Sequence, residues 1–101
     1  MTILEKNKET ISSLCLKHKV KELYAFGSVL DDKKFSDKSD IDLLVEFSEM
    51  SLEEYGENYF HFIEELENVF NRTIDLVTIR FMKNRFFIER VNRTKKLLFA
   101  A

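Results

Sequence analysis

The stretch Asp40-Ile41-Asp42-Leu43-Leu44-Val45-Glu46-Phe47 decides how the chain is read. Ile41, Leu43, Val45 and Phe47 alternate with Asp40, Asp42, Leu44 and Glu46, the period-two pattern of a half-buried strand. If the first set faces a core, Asp40 and Asp42 stand side by side on the opposite face, their Cα atoms about 6–7 Å apart. Aspartate is disfavoured in strands, so acids placed there call for compensation. Asp40 as a strand-end cap and Asp42 as a solvent-facing residue is the plainer alternative, and an isolated Asp-x-Asp does not exclude it.

Working outward, Glu22 to Phe26 reads as a short strand that ends at Gly27, and Thr73 to Thr78 as another. In the latter, Ile74 and Leu76 face the core, which turns Thr73, Asp75 and Val77 toward the same face as Asp40 and Asp42. This pattern would let three carboxylates from two strands converge. Ile3, Leu4, Asn7, Ile11, Leu14, Cys15 and His18 recur at helical spacing, predicting a helix over residues 2–18 with Thr2 and Glu5 as a capping box. Ser51 and Glu54 form a second capping box. It opens a helix with the stripe Leu52, Tyr55, Tyr59, Phe62, Ile63, Leu66, Val69 and Phe70. Gly56 within it is explained either by close packing or by tolerance. Residues 82–92 read as a further helix through Phe86, Phe87 and Val91, and Lys96 to Ala100 as a last strand. The order α-β-turn-β-α-β-α-β predicts an α+β domain with helices on one face of a small mixed sheet and carboxylates on the open face.

Length and composition agree. At 101 residues the chain predicts one domain, residues 1–101. With 45% apolar and 34% charged residues it is too hydrophobic for disorder and too polar for a membrane span. Sixteen basic against 18 acidic residues give a net charge of −2, which argues against a broad nucleic-acid-binding face. One cysteine, Cys15, excludes an internal disulfide and fits a reducing cytoplasm, and the charged N-terminus reads as no secretion signal.

Phe26-Gly27-Ser28 supplies a second chemical element. A glycine there lets the backbone approach a ligand closely, and Ser28 is placed to start a short helix whose free N–H groups bind phosphate. Ser28-Val29-Leu30-Asp31 is equally a capping box that needs no ligand. Oxygen-rich carboxylate clusters suit Mg²⁺, and paired ions can activate a hydroxyl and stabilise a leaving pyrophosphate.

Phe26-Gly27-Ser28, eleven residues, then Asp40-Ile41-Asp42-Leu43-Leu44-Val45 resembles the signature of the polymerase-beta-like nucleotidyltransferases, and of their minimal (MNT) group in particular. Ile74-Asp75-Leu76-Val77 resembles the strand that carries that family's third acid. The resemblance implies that Gly27 and Ser28 bind nucleotide phosphates. It implies that Asp40, Asp42 and Asp75 are the catalytic, metal-binding acids, with two Mg²⁺ ions and ATP as substrate. The implied reaction is transfer of AMP to a hydroxyl acceptor. The implied setting is a cytoplasmic antitoxin that modifies a tyrosine of a HEPN-type toxin, touching nucleic acid only through that partner; self-association is left open. The family's Arg-Ala-Arg-Gly-like stretch after Gly-Ser is replaced by Val29-Leu30-Asp31-Asp32, with Lys33, Lys34 and Lys38 nearby as compensating charge. That departure motivates an alternative: a catalytically degenerate module that neutralises its partner by contact.

Other signals read as structural. The aspartates of residues 31–42 lack the glycine and glutamate of a calcium loop. Cys15 and His18 read as core-facing, and His61 as the polar edge of its helix. Arg80, Lys83, Arg85, Arg90, Arg93, Lys95 and Lys96 read as a solvated face, with contact to RNA, a nucleotide or an acidic partner as the sharper alternative. Tyr55, Tyr59 and Phe60 extend the apolar surface of the long helix, and Phe81, Phe86 and Phe87 read as core or docking residues.

Overall fold

The computed structural model describes residues 3–31 and 33–101. Thr2 of the first capping box, Asp32, and the side chain of Phe81 lie outside the described residues. The elements are α1 (Ile3–Lys6), α2 (Lys8–Lys17), β1 (Val20–Phe26), β2 (Ile41–Phe47), α3 (Leu52–Phe70), β3 (Ile74–Thr78), α4 (Arg85–Thr94) and β4 (Lys96–Ala100). The sheet runs β3-β2-β1-β4. β1 pairs antiparallel with β2 and β4, and β2 pairs parallel with β3, so the sheet is mixed, as expected of the α+β class.

The first predicted helix is interrupted at Asn7. Its amide Nδ2 donates to the Ile3 carbonyl at 2.9 Å, and its backbone N–H reaches Leu4 O rather than a carbonyl four residues back. An asparagine that bonds the local backbone competes with the helix ladder in this way. α3 begins where the capping box places it: Ser51 Oγ accepts from Glu54 N at 3.2 Å. Leu52 does not join the apolar stripe; it is 73% exposed, ahead of the first turn that meets the sheet. A Cβ built on Gly56 meets no atom within 4 Å, so tolerance explains this glycine. Gly56→Ala is expected to stabilise the protein by about 0.5–1 kcal/mol, seen as a raised urea midpoint at unchanged slope.

The main core lies between α1–α3 and one sheet face. Leu23, Ala25, Ile41, Leu43, Val45, Ile74 and Leu76 from the sheet meet Ile11 and Cys15 of α2 and Phe62, Leu66 and Phe70 of α3. Cys15 is fully buried, which holds its thiol in the protonated form by pushing its pKa up to about 12. His18 is also buried. Its ring nitrogens face Asn58 Oδ1 at 3.1 Å and Glu65 Oε2 at 2.7 Å, tying the end of α2 to α3. Hydrogen bonds from Lys17 and His18 keep the Glu65 carboxyl below its usual range. His61 is exposed, as expected.

A smaller cluster occupies the other face, where Phe26 and Leu44 pack with Val91 of α4, joined by Tyr24, Val77 and Phe87. α4 begins later than the pattern predicts because Asn84, not a residue near 82, caps it: Asn84 Oδ1 accepts from Phe87 N at 3.0 Å. The helices are therefore not confined to the one expected face: the apolar Phe87 and Val91 of α4 cover part of the second, which leaves Asp40 and Asp75 exposed and Asp42 half-buried. Among the described residues, no helix is long and apolar enough to cross a membrane.

Candidate active site

Register brings the acids together. Asp42 of β2 and Asp75 of β3 are direct partners in the parallel ladder, so their side chains emerge side by side on one face. On the other side Asp42 pairs with Phe26, the last residue of β1. Asp42 is half-buried, while Asp40, just before β2, and Asp75 are exposed. Burial first, then the charge and hydrogen-bonding oxygen of Asp75, then the charge of Asp40, push the Asp42 carboxyl up to about 6. A carboxylate beside like charges resists ionisation, and a cation or donor group placed there would relieve it.

The chain turns sharply after Phe26. Gly27 has φ +76°, a left-handed conformation that disfavours a side chain. A Cβ built on it would run into Asp42 Oδ2. The Gly27 backbone is thus seated directly against the Asp42 carboxyl, and glycine is the residue that permits the approach. Residues Gly27–Leu30 form a single 3-10 turn rather than the expected helix, too short to present a helix N-terminus. Nor does Ser28 cap it: Phe26 is the N-cap residue, and the Ser28 backbone carbonyl accepts from Asp31 N at 2.9 Å. The Asp31 carboxylate instead accepts from Lys33 N at 2.9 Å. Ser28 lines an open cleft of ≈ 520 Å³ together with Gly27, Asp31, Lys34, Phe87 and Arg90.

Arg72 escaped the sequence reading, and Arg90 was not singled out there from the basic set. Arg72, two residues before β3, donates from Nη1 to the carbonyls of Ser36 and Ser39 at 2.6 and 3.0 Å and lies 4.3 Å over the Phe35 ring. It fixes the loop that delivers Asp40, yet no local pattern marks an arginine as the anchor of a loop more than thirty residues earlier. Arg90 looks like any cation of a basic helix until α4 is placed against β1 and β2. Tyr55 and Tyr59 belong to the core margin, with Tyr55 edge-on to Phe47 and the Tyr59 hydroxyl donating to Leu76 O at 2.6 Å. Phe60 and Phe86 remain exposed, at 64% and 80%.

The site is thus a Gly-Ser turn closing on paired strand carboxylates in a mixed four-stranded sheet. The profile of the nucleotidyltransferase domain matches residues 7–98, and the chain belongs to that family. It is 34% identical over 84 residues to a candidate protein adenylyltransferase of Methanocaldococcus jannaschii, covering 83% of this chain and 79% of that one. A solved candidate minimal nucleotidyltransferase superposes with a TM-score of 0.75 at 27% identity, covering 95% of each chain. A chain from the solved complex of tri-AMPylated Shewanella oneidensis HEPN toxin with MNT antitoxin superposes at 0.66 with 20% identity. That match covers 98% of this chain and 74% of the other, and shares the fold.

Proposed function

We infer that residues 1–101 form one nucleotidyltransferase domain that moves AMP from ATP onto a hydroxyl of a protein partner, most simply a tyrosine of a HEPN-type toxin. The observation that carries the reading is the meeting of Gly27, Asp42 and Asp75, which comes from register and a left-handed turn rather than from composition. The M. jannaschii relative and the AMPylated toxin complex support the choice of nucleotide and acceptor class.

The donor set fits a hard divalent cation such as Mg²⁺: carboxylate oxygens only, without sulfur or imidazole. Among the described residues, no three His, Cys, Asp or Glu side chains make a ready cage. Mg²⁺ takes a few carboxylates and completes its shell with water and phosphate oxygens. Asp40, Asp42 and Asp75 would hold the ions, which when bound neutralise charge on the reacting phosphate and lower the pKa of the acceptor hydroxyl. The chain's own part is orientation. Gly27 leaves room for the phosphates beside Asp42, Ser28 presents a hydroxyl to them, and Asp75 is placed to take the acceptor's proton. The acceptor oxygen then bonds to the α-phosphorus, the bond to the β-phosphate oxygen breaks, and pyrophosphate carries the electron pair away.

The test is intact-mass spectrometry of a HEPN-type partner co-expressed with the native chain or with Asp42→Asn. A gain of whole AMP units with the native chain alone is the expected result. An unmodified partner that co-purifies with both would overturn transfer in favour of inhibition by contact, the reading that the uncharged Val29-Leu30 pair favours.

A further inference from the structure

The nucleotidyl-transfer reading leaves one charge problem open. The cleft is lined by Asp31, and its Gly27 abuts the Asp42 carboxyl, so a polyanionic ligand would enter against like charge. The turn itself offers no counter-charge: Val29 is 2% exposed and packed into the core, and Leu30 is apolar. Two cations line the cleft from outside the turn, Lys34 from the loop that follows it and Arg90 from α4. Neither makes an ion pair with any described side chain.

Their positions are built in. Phe87, Arg90, Val91 and Thr94 share one face of α4 at three- and four-residue spacing, and all four line the cleft. Phe87 packs edge-on against Phe26 with ring centroids 5.7 Å apart, and Val91 sits against Phe26 and Leu44. These contacts bolt α4 to the sheet and set Arg90 on the wall of the cleft that Ser28 also lines. Lys34 is held by the turn at Asp31, whose carbonyl accepts from both Lys34 N and Phe35 N. Arg90 is also the one member of the basic C-terminal set that lines this cleft, among the described residues. Lys95 lies over the Tyr24 ring and Lys96 is near Glu5.

We propose that Arg90 and Lys34, which line the Gly27–Ser28 cleft from two different elements, clamp the β- and γ-phosphates of the nucleoside triphosphate, and that Arg90 takes up the charge of pyrophosphate as it leaves. Guanidinium suits this task because its planar fork pairs bidentately with phosphate oxygens. The clamp supplies from α4 the positive charge that the segment after Ser28 lacks. It rests on the nucleotidyl-transfer reading and adds the residues that make the triphosphate, rather than the monophosphate, the preferred ligand.

Calorimetric titration of the full chain with AMP-PNP and with AMP, in Mg²⁺ buffer, separates the possibilities. Arg90→Ala is expected to weaken AMP-PNP binding about 10- to 100-fold, the loss of one or two charge-assisted bonds, and to change AMP binding less than about twofold. Lys34→Ala follows the same pattern with a smaller loss, and Arg90→Lys recovers part of the affinity. Equal weakening of both ligands would show a merely structural role, and an unchanged AMP-PNP affinity would leave Arg90 as a solvated helix cation; either overturns the clamp alone. A native chain that binds no triphosphate would remove the transfer reading and the clamp together.

Discussion

Asp42→Asn is expected to yield a protein that is more stable than the native chain at neutral pH and that has lost nucleotidyl transfer by about 10³-fold or more. The two effects share a cause. Burial and the neighbouring Asp75 and Asp40 carboxylates raise the Asp42 carboxyl from the ordinary 3.8 to about 6, so the folded state holds its proton more tightly than the unfolded chain does. Between those values the native state binds more protons than the unfolded state. Stability therefore falls as pH rises through the window, and the full penalty applies above about pH 6. A shift of this size corresponds to at most about 3 kcal/mol, and solvent screening at a half-buried group reduces it to about 1–2 kcal/mol. Asparagine keeps the shape and removes the charge. Urea unfolding of both proteins at pH 4 and pH 7 checks this: the native chain should be relatively weaker at pH 7, and the variant should lose that part of the pH dependence. A variant less stable than native at pH 7 would refute the electrostatic account of the site.

Gly27→Ala is expected to act in the opposite direction on the fold and in the same direction on transfer. The left-handed φ of +76° disfavours any side chain, by about 1–2 kcal/mol for alanine. The new methyl would also run into Asp42 Oδ2, with Asp42 Cγ and Cβ at 3.3 and 3.5 Å behind it, so the carboxylate must shift. A displacement of that order at a reacting centre costs about 100-fold in turnover. Thermal unfolding and steady-state transfer on the same preparation read both consequences. Native turnover in Gly27→Ala would mean that the Gly27–Asp42 contact has no part in the chemistry. Gly56→Ala, a glycine whose Cβ meets open space, serves as the control.

The parts that could be read from sequence are those set by local pattern. Period-two alternation placed β2 at residues 41–47 and put Asp42 and Asp75 on one face, where the parallel register then made them direct neighbours. Ser51 marked the start of α3 because its cap bond is made to a residue three positions on. What escaped depends on distant partners. Alternation assigns Leu44 to the outward face but cannot show that α4 covers it, and only Val91 and Phe87 carry that contact from the helix side. The interruption at Asn7 is invisible to a hydrophobic stripe that passes straight through it. Arg72 and Arg90 acquire their positions from elements that meet only after folding.

The pairing of Asp42 with its flanking residues has a bearing on folding fidelity as well. Ile41 and Leu43, on either side of it, are essentially inaccessible to solvent, so a slip of one residue in β2 would drive the charge into the apolar layer and turn both hydrophobes to water. The acids thus penalise misaligned sheets, and they do so whether or not any nucleotide is ever bound. Replacing Asp42 by leucine would erase that penalty and leave an apolar run from Ile41 to Val45 with no preferred face. Inactive versions made for trapping a partner are therefore better built with asparagine, which silences the chemistry while the strand still distinguishes its inside from its outside.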